Sequence, residues 1–108
     1  MDAIEIAMNY TFADRLSKLE EECDELTEAL GAYDAAEEGS AAEKRAWYHV
    51  LEELADVEIV LEQVRYHLFR DRGTDDKLVD RIKAFKIERQ ALRIEMGDET
   101  WAGRRQTV

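Results

Sequence analysis

Residues 14–36, DRLSKLEEECDELTEALGAYDAA, decide the fold. Within them Leu16, Leu19, Cys23, Leu26, Leu30 and Tyr33 recur at steps of 3, 4, 3, 4 and 3, a spacing that lines one side of an α-helix and no side of a strand. An amphipathic helix from about Asp14 to Ala36 follows, with this apolar stripe as its expected core face. Downstream, Glu38-Gly39-Ser40 breaks the pattern. Gly39 can end one helix, and Ser40 with Glu43 three residues on offers a capping box for the next. That helix is expected from about Ala42 to Arg70, with Val50, Leu54, Val57, Leu61, Val64 and Leu68 on one side and Trp47, Leu51 and Phe69 beside them. Asp71-Arg72-Gly73-Thr74 is the following stop, with Thr74 or Asp75 as the expected cap. A fourth helix places Leu78, Ile82, Phe85, Leu92 and Met96 on one face and ends at Gly97. Upstream, DAIEIAMNY (2–10) reads as a short helix or an ordered arm.

These segments predict an all-α domain over residues 1–108, a bundle of about four helices, three of them long, with its core at about 14–96 and a tail at 97–108. A chain of 108 residues leaves room for one core, and the absence of proline suits long helices better than a turn-rich β-fold. Acids outnumber bases 26 to 15, for a formal charge of −11. That sign removes nucleic acid as the default partner, because binding by counterion release needs a basic surface. The hydrophobic fraction of 45% is too high for a disordered acidic chain. One cysteine makes no internal disulfide, the opening MDAIEIAM carries acids where a secretory signal needs a basic flank, and no apolar run approaches the length that spans a bilayer. A reducing, cytoplasmic location without a membrane partner is expected. Cys23 itself reads as core filler.

The long third helix adds an expectation about assembly. About 28 residues at about 1.5 Å each give roughly 42 Å, whereas a compact domain of this size has a radius of gyration near about 13 Å. Tyr48, Ile59 and Tyr66 lie near one line on its opposite side, and a lone chain leaves them wet. A homo-oligomer is expected, most simply a two-fold dimer.

Carboxylates border the apolar stripes. At about 100° per residue, Glu22 lies about 80° and Glu25 about 140° from the centre of the second helix's stripe, while on the third helix Glu53 lies about 60° and Asp56 about 120° from its apolar middle. Burying such charges unpaired costs several kcal/mol, and a cation is one solution. The pairs Glu22/Glu25 and Glu53/Asp56 can converge from neighbouring helices, a hard-oxygen set that suits Mg²⁺, with Mn²⁺ as an alternative. Solvated acidic faces are the competing explanation, since i, i+3 acidic pairs such as Glu21/Asp24 and Glu25/Glu28 recur by chance in so acidic a chain. The fourth helix has the opposite sign, with five bases and one acid from Arg81 to Arg93. Arg89 falls about 20° from the centre of its apolar stripe. It therefore needs a partner, either a carboxylate or a substrate phosphate. A P-loop and a Glu-x-x-His di-iron motif are both missing. His49 and His67 lie about 27 Å apart along one helix and cannot share a ligand.

The stretch LEEECDELTEAL (19–30), followed by LEELADVEIVLEQV (51–64), resembles the E-E-x-x-E … E-x-x-D signature of the MazG-like all-α nucleoside triphosphate pyrophosphohydrolases, in particular the small phage and prophage members. FKIERQALR (85–93) looks like the basic segment near the end of their last core helix, although many relatives carry Asn where this chain has Gln90. The resemblance covers roughly residues 16 to 95. It implies a helical dimer or pair of dimers that cleaves a nucleoside triphosphate, or its deoxy form, between the α- and β-phosphates with Mg²⁺. It puts the metal-binding acids at Glu22, Glu25, Glu53 and Asp56, preceded by Glu21, and the phosphate contacts at Lys86 and Arg89, with Arg93 as a third. Two other functions fit the same residues: a phosphoribosyl-ATP pyrophosphatase with similar acidic motifs, and a non-catalytic helical adaptor whose acidic face binds a basic partner.

Overall fold

The structure is a computed structural model and describes residues 1–97; the remainder of the expected tail, Trp101 included, lies outside the described residues. Among these the chain is all-helical, with α1 at Ala3–Ala7, α2 at Phe12–Ala35, α3 at Ala41–Phe69 and α4 at Gly73–Glu95. It divides into one compact unit, Met1–Arg70, and a second that begins at Asp71 and carries α4. No helix among the described residues is long and apolar enough to cross a membrane.

The helix starts follow from local chemistry. α2 begins two residues before the expected Asp14 because Thr11 and Asp14 form a capping box: Thr11 Oγ1 accepts from Asp14 N (3.1 Å) and Asp14 Oδ2 accepts from Thr11 N (3.0 Å). Asp takes the place that Glu or Gln usually fills. At α3 the expected box forms by half. Ser40 Oγ accepts from Glu43 N at 3.0 Å, but the Ser40 N–H is held by the Glu37 carbonyl, so the Glu43 carboxylate accepts from Gly39 N instead, at 3.2 Å. Gly39 supports this turn with φ +79°, a conformation that costs an L-residue about 1–2 kcal/mol. α4 corrects the expected cap: its N-cap is Arg72, without a side-chain bond, and Thr74 and Asp75 fall inside the helix. Asp75 and Asp76 then sit in the first turn, where the helix dipole favours carboxylates. The expected stop at Gly97 holds, with φ +82° just beyond Glu95.

Within the first unit α2 and α3 pack as an antiparallel hairpin. Arg15 meets Gln63 near one end, Glu22 meets Glu53 in the middle, and Tyr33 meets Trp47 near the other, with ring centroids 5.2 Å apart. α1 lies against α3 with Ala7 fully buried. Gln63 Nε2 donates to the Ala3 carbonyl (3.3 Å), and His67 Nε2 lies 3.1 Å from the Ala7 carbonyl oxygen.

The expected core faces are turned. On α2 the buried residues are Arg15, Glu22 and Ala29, one position back from Leu16, Cys23 and Leu30, which is a rotation of about 100°. Leu16 and Leu30 remain 46% and 49% exposed, and Cys23 is an exposed free thiol rather than core filler. On α3 the seam is Val50, Glu53, Val57, Val60 and Gln63, while Leu54, Leu61 and Leu68 stay outside it. Among the described residues the buried apolar ones are Ala7, Ala29, Val50, Val57 and Val60, and no large side chain is fully enclosed. One neighbouring helix covers a narrower sector than these apolar stripes occupy, and the small residues at the seam allow close approach. In an antiparallel pair, equal rotations point to the same flank. Leu16 and Leu30 therefore share an exposed apolar flank with Leu54, Leu61 and Leu68. Tyr48 and Ile59, on the line expected to be wet, are also exposed.

Candidate metal centre

Glu22 comes to the seam because it sits seven residues after Arg15 and seven before Ala29, two helical turns each way along the buried line of α2. Glu53 stands on the matching line of α3, between Val50 and Val57. Each is enclosed, at 5% and 8% exposure. One carboxylate oxygen from each of Glu22, Glu53 and Asp56 lies within 4.8 Å of the others. Asp56, one residue before Val57, is turned about 100° away from the seam, so it stands exposed at the rim and gives the cluster an open side. The half-buried Glu25 adjoins the cluster, one turn along α2 from Glu22. Loss of surrounding water, with the charges of Glu22 and Glu53 beside it, pushes its carboxyl above the usual range.

The compensation inside the chain is partial. Lys18 Nζ lies 3.0 Å from Glu22 Oε1 and 3.6 Å from Glu21, and this pairing raises the Lys18 pKa above its ordinary value. His49 Nε2 lies 3.8 Å from Glu53 Oε1. The second oxygens, Glu22 Oε2 and Glu53 Oε2, are fully enclosed and have no hydrogen-bond partner among the described residues. Buried polar atoms of folded proteins are nearly always satisfied, so two orphaned carboxylate oxygens across one seam constitute an unfilled demand for positive charge. A hard divalent cation fits this donor set. Oxygens around one Mg²⁺ sit about 3–4 Å apart at bond lengths of about 2.1 Å, so oxygens at most 4.8 Å apart converge by small side-chain adjustments.

Of the expected acids, Glu22, Glu53 and Asp56 meet directly and Glu25 adjoins them, whereas Glu21 faces outward against Lys18. Lys86, Arg89 and Arg93 belong to the second unit, where with Gln90 they line one shallow hollow on α4. The partner that Arg89 needs is in part the Phe85 ring, 5.9 Å from its guanidinium carbon. Two site residues escaped the sequence reading, Lys18 and His49. Each stands four residues before a seam carboxylate, and that shared i, i+4 relation to Glu22 and Glu53 was the available signal. Comparison of the chain with protein-family models, with curated proteins and with solved structures found no match.

Proposed function

We propose that the chain is a Mg²⁺-dependent nucleoside triphosphate pyrophosphohydrolase of the MazG-like kind, with Mn²⁺ as an alternative metal. One observation carries this: Glu22 and Glu53, each with an enclosed oxygen that has no hydrogen-bond partner among the described residues, converge with Asp56 from two helices. Solvated acidic faces do not leave carboxylate oxygens enclosed and without a hydrogen-bond partner. Glu22, Glu53 and Asp56 hold the cation, with Glu25 as a fourth ligand or as the carboxylate that orients the attacking water. When bound, the cation supplies charge neutralisation for a triphosphate that a chain of net charge −11 otherwise repels. Water adds to the α-phosphorus, the bond to the α–β bridging oxygen breaks, and nucleoside monophosphate and pyrophosphate leave. Lys86, Arg89 and Arg93 are assigned to the phosphates by the resemblance of residues 85–93 and by the hollow they share. The working form is a homodimer or a pair of dimers, because the flank bearing Leu16, Leu30, Leu54, Leu61 and Leu68 needs cover.

The test is to incubate the purified protein with each common NTP and dNTP plus Mg²⁺ and to score pyrophosphate against orthophosphate. Pyrophosphate with monophosphate is expected, and orthophosphate alone contradicts the proposal. Glu53→Gln should keep the helical circular dichroism spectrum and lower turnover by at least about 100-fold, as loss of one charge-stabilising group does; turnover near wild type counts against the site.

A further inference from the structure

Outside the carboxylate cluster, the Arg15 guanidinium has no ion pair at contact distance among the described residues, although the neighbouring Asp14 carboxylate feels its charge. It is 9% exposed, a placement in which a charged group ordinarily faces an anion. Its partners here are neutral: the Gln63 amide oxygen accepts from Nη1 at 2.8 Å, and the Tyr10 ring centroid lies 3.9 Å from Cζ. Nε is enclosed without a partner, and no carboxylate among the described residues forms an ion pair with Arg15. Arg15 lines a hollow with Tyr10, Asp14, Ser17, Lys18 and Glu21. Of the acids on its rim, Asp14 accepts from the Thr11 N–H at 3.0 Å and also acts electrostatically on Arg15, while Glu21 pairs with Lys18 Nζ at 3.6 Å. Lys18 joins the two places: the same Nζ stands 3.0 Å from Glu22, so the hollow and the carboxylate cluster share an edge.

We propose that this hollow is an anion site for a diphosphate group, bound by the part of the Arg15 guanidinium that Gln63 leaves open and by the point charge of Lys18. The two cations stand one helical turn apart, a spacing suited to two neighbouring phosphates. Tyr10, stacked on the guanidinium, fixes the plane of the fork. The proposal rests on the pyrophosphohydrolase reading and deepens it: Arg15 and Lys18 hold the terminal phosphates from the first unit, in addition to the Lys86, Arg89 and Arg93 contacts that the resemblance implies, and the departing pyrophosphate has a cationic seat there.

The experiment is titration with inorganic pyrophosphate in EDTA, followed by calorimetry and ³¹P NMR, so that no divalent ion takes part. Wild type is expected to bind saturably, at least tenfold more tightly than orthophosphate. Arg15→Gln should weaken binding at least tenfold and Lys18→Gln at least fivefold. Where Arg15→Gln does not fold, Lys18→Gln, at a partly exposed position, carries the test. Absence of saturable binding, equal affinity in the variants, or equal affinity for orthophosphate overturns the site. Lys18-dependent pyrophosphate binding in a protein that hydrolyses no triphosphate upholds the anion site and removes the enzymatic reading. Hydrolysis with unchanged KM in both variants does the reverse.

Discussion

Glu53→Gln should change stability with opposite signs in the absence and presence of metal. In EDTA, the Glu22 and Glu53 carboxylates stand at most 4.8 Å apart across the seam. Two unit charges at that distance repel by about 3.5 kcal/mol at an effective dielectric constant of about 20. Lys18 on Glu22 and His49 near Glu53 offset part of this. The glutamine keeps the side-chain volume, removes one charge and brings an N–H donor toward the orphaned Glu22 oxygen. A gain of about 1–2 kcal/mol is expected, or roughly 5–10 °C in Tm for a domain of this size. With Mg²⁺ at about 100 times its Kd, wild type gains about 2.7 kcal/mol by mass action while the variant gains little, so the order of stability reverses. The assay is thermal unfolding by circular dichroism at one fixed protein concentration. A variant less stable than wild type in EDTA refutes the reasoning, because it means that the buried carboxylate is held by attraction already present in the chain.

Three further outcomes are expected. Gln63→Leu strands the Arg15 guanidinium and the Ala3 carbonyl and should lower stability by about 2–4 kcal/mol; an unchanged urea midpoint refutes the role given to that network. Leu61→Glu, on the exposed leucine flank, should reduce the mass measured by light scattering from a multiple of the chain to a single chain, and a wild type that is already monomeric contradicts the assembly. The third concerns pH. The Glu25 carboxyl is raised in the folded chain, so the folded state holds that proton more tightly than the unfolded one. Its stabilising contribution is fully present below the ordinary value of 4.5 and is lost as pH rises through the raised value. In EDTA, acidification from pH 7 toward 5 should therefore favour wild type relative to Glu25→Gln. Asp14 is shifted downward, so its contribution fails only below about the ordinary carboxylate range and leaves this window clear. A difference between wild type and Glu25→Gln that does not change with pH contradicts the assignment.

Helix existence was legible in the sequence, because steps of 3 and 4 between apolar residues, Ser40 before Glu43, and glycines at 39 and 97 are local signals with local causes. Helix orientation was not. Leu16, Cys23 and Leu30 form the more hydrophobic line of α2, yet Arg15, Glu22 and Ala29 face α3. Periodicity finds the apolar sector of a helix but does not say which neighbour covers it, and a chain whose first unit has two long helices cannot cover all of it. The carboxylates were half legible. Their angles to the stripes put Glu22 and Glu53 near a seam, and the turned faces move them inside it. Arg15 with Gln63 was out of reach, since a contact across a separation of 48 positions leaves no signal in the sequence. The cap of α4 was misplaced because Arg72 initiates the helix without a side-chain bond, leaving Thr74 and Asp75 as attractive but unused candidates.

The central claim is that Glu22, Glu53 and Asp56 together form a divalent-cation site, and the most direct measurement is titration of free Mn²⁺ by electron paramagnetic resonance at moderate salt, for wild type and for Glu22→Gln, Glu53→Gln and Asp56→Asn. The expected result is a saturable class of binding in wild type that all three substitutions weaken by at least tenfold, with Mg²⁺ competing for it. Weak, unsaturable binding that is equal in wild type and variants, as a diffuse ion atmosphere around an acidic chain gives, contradicts it.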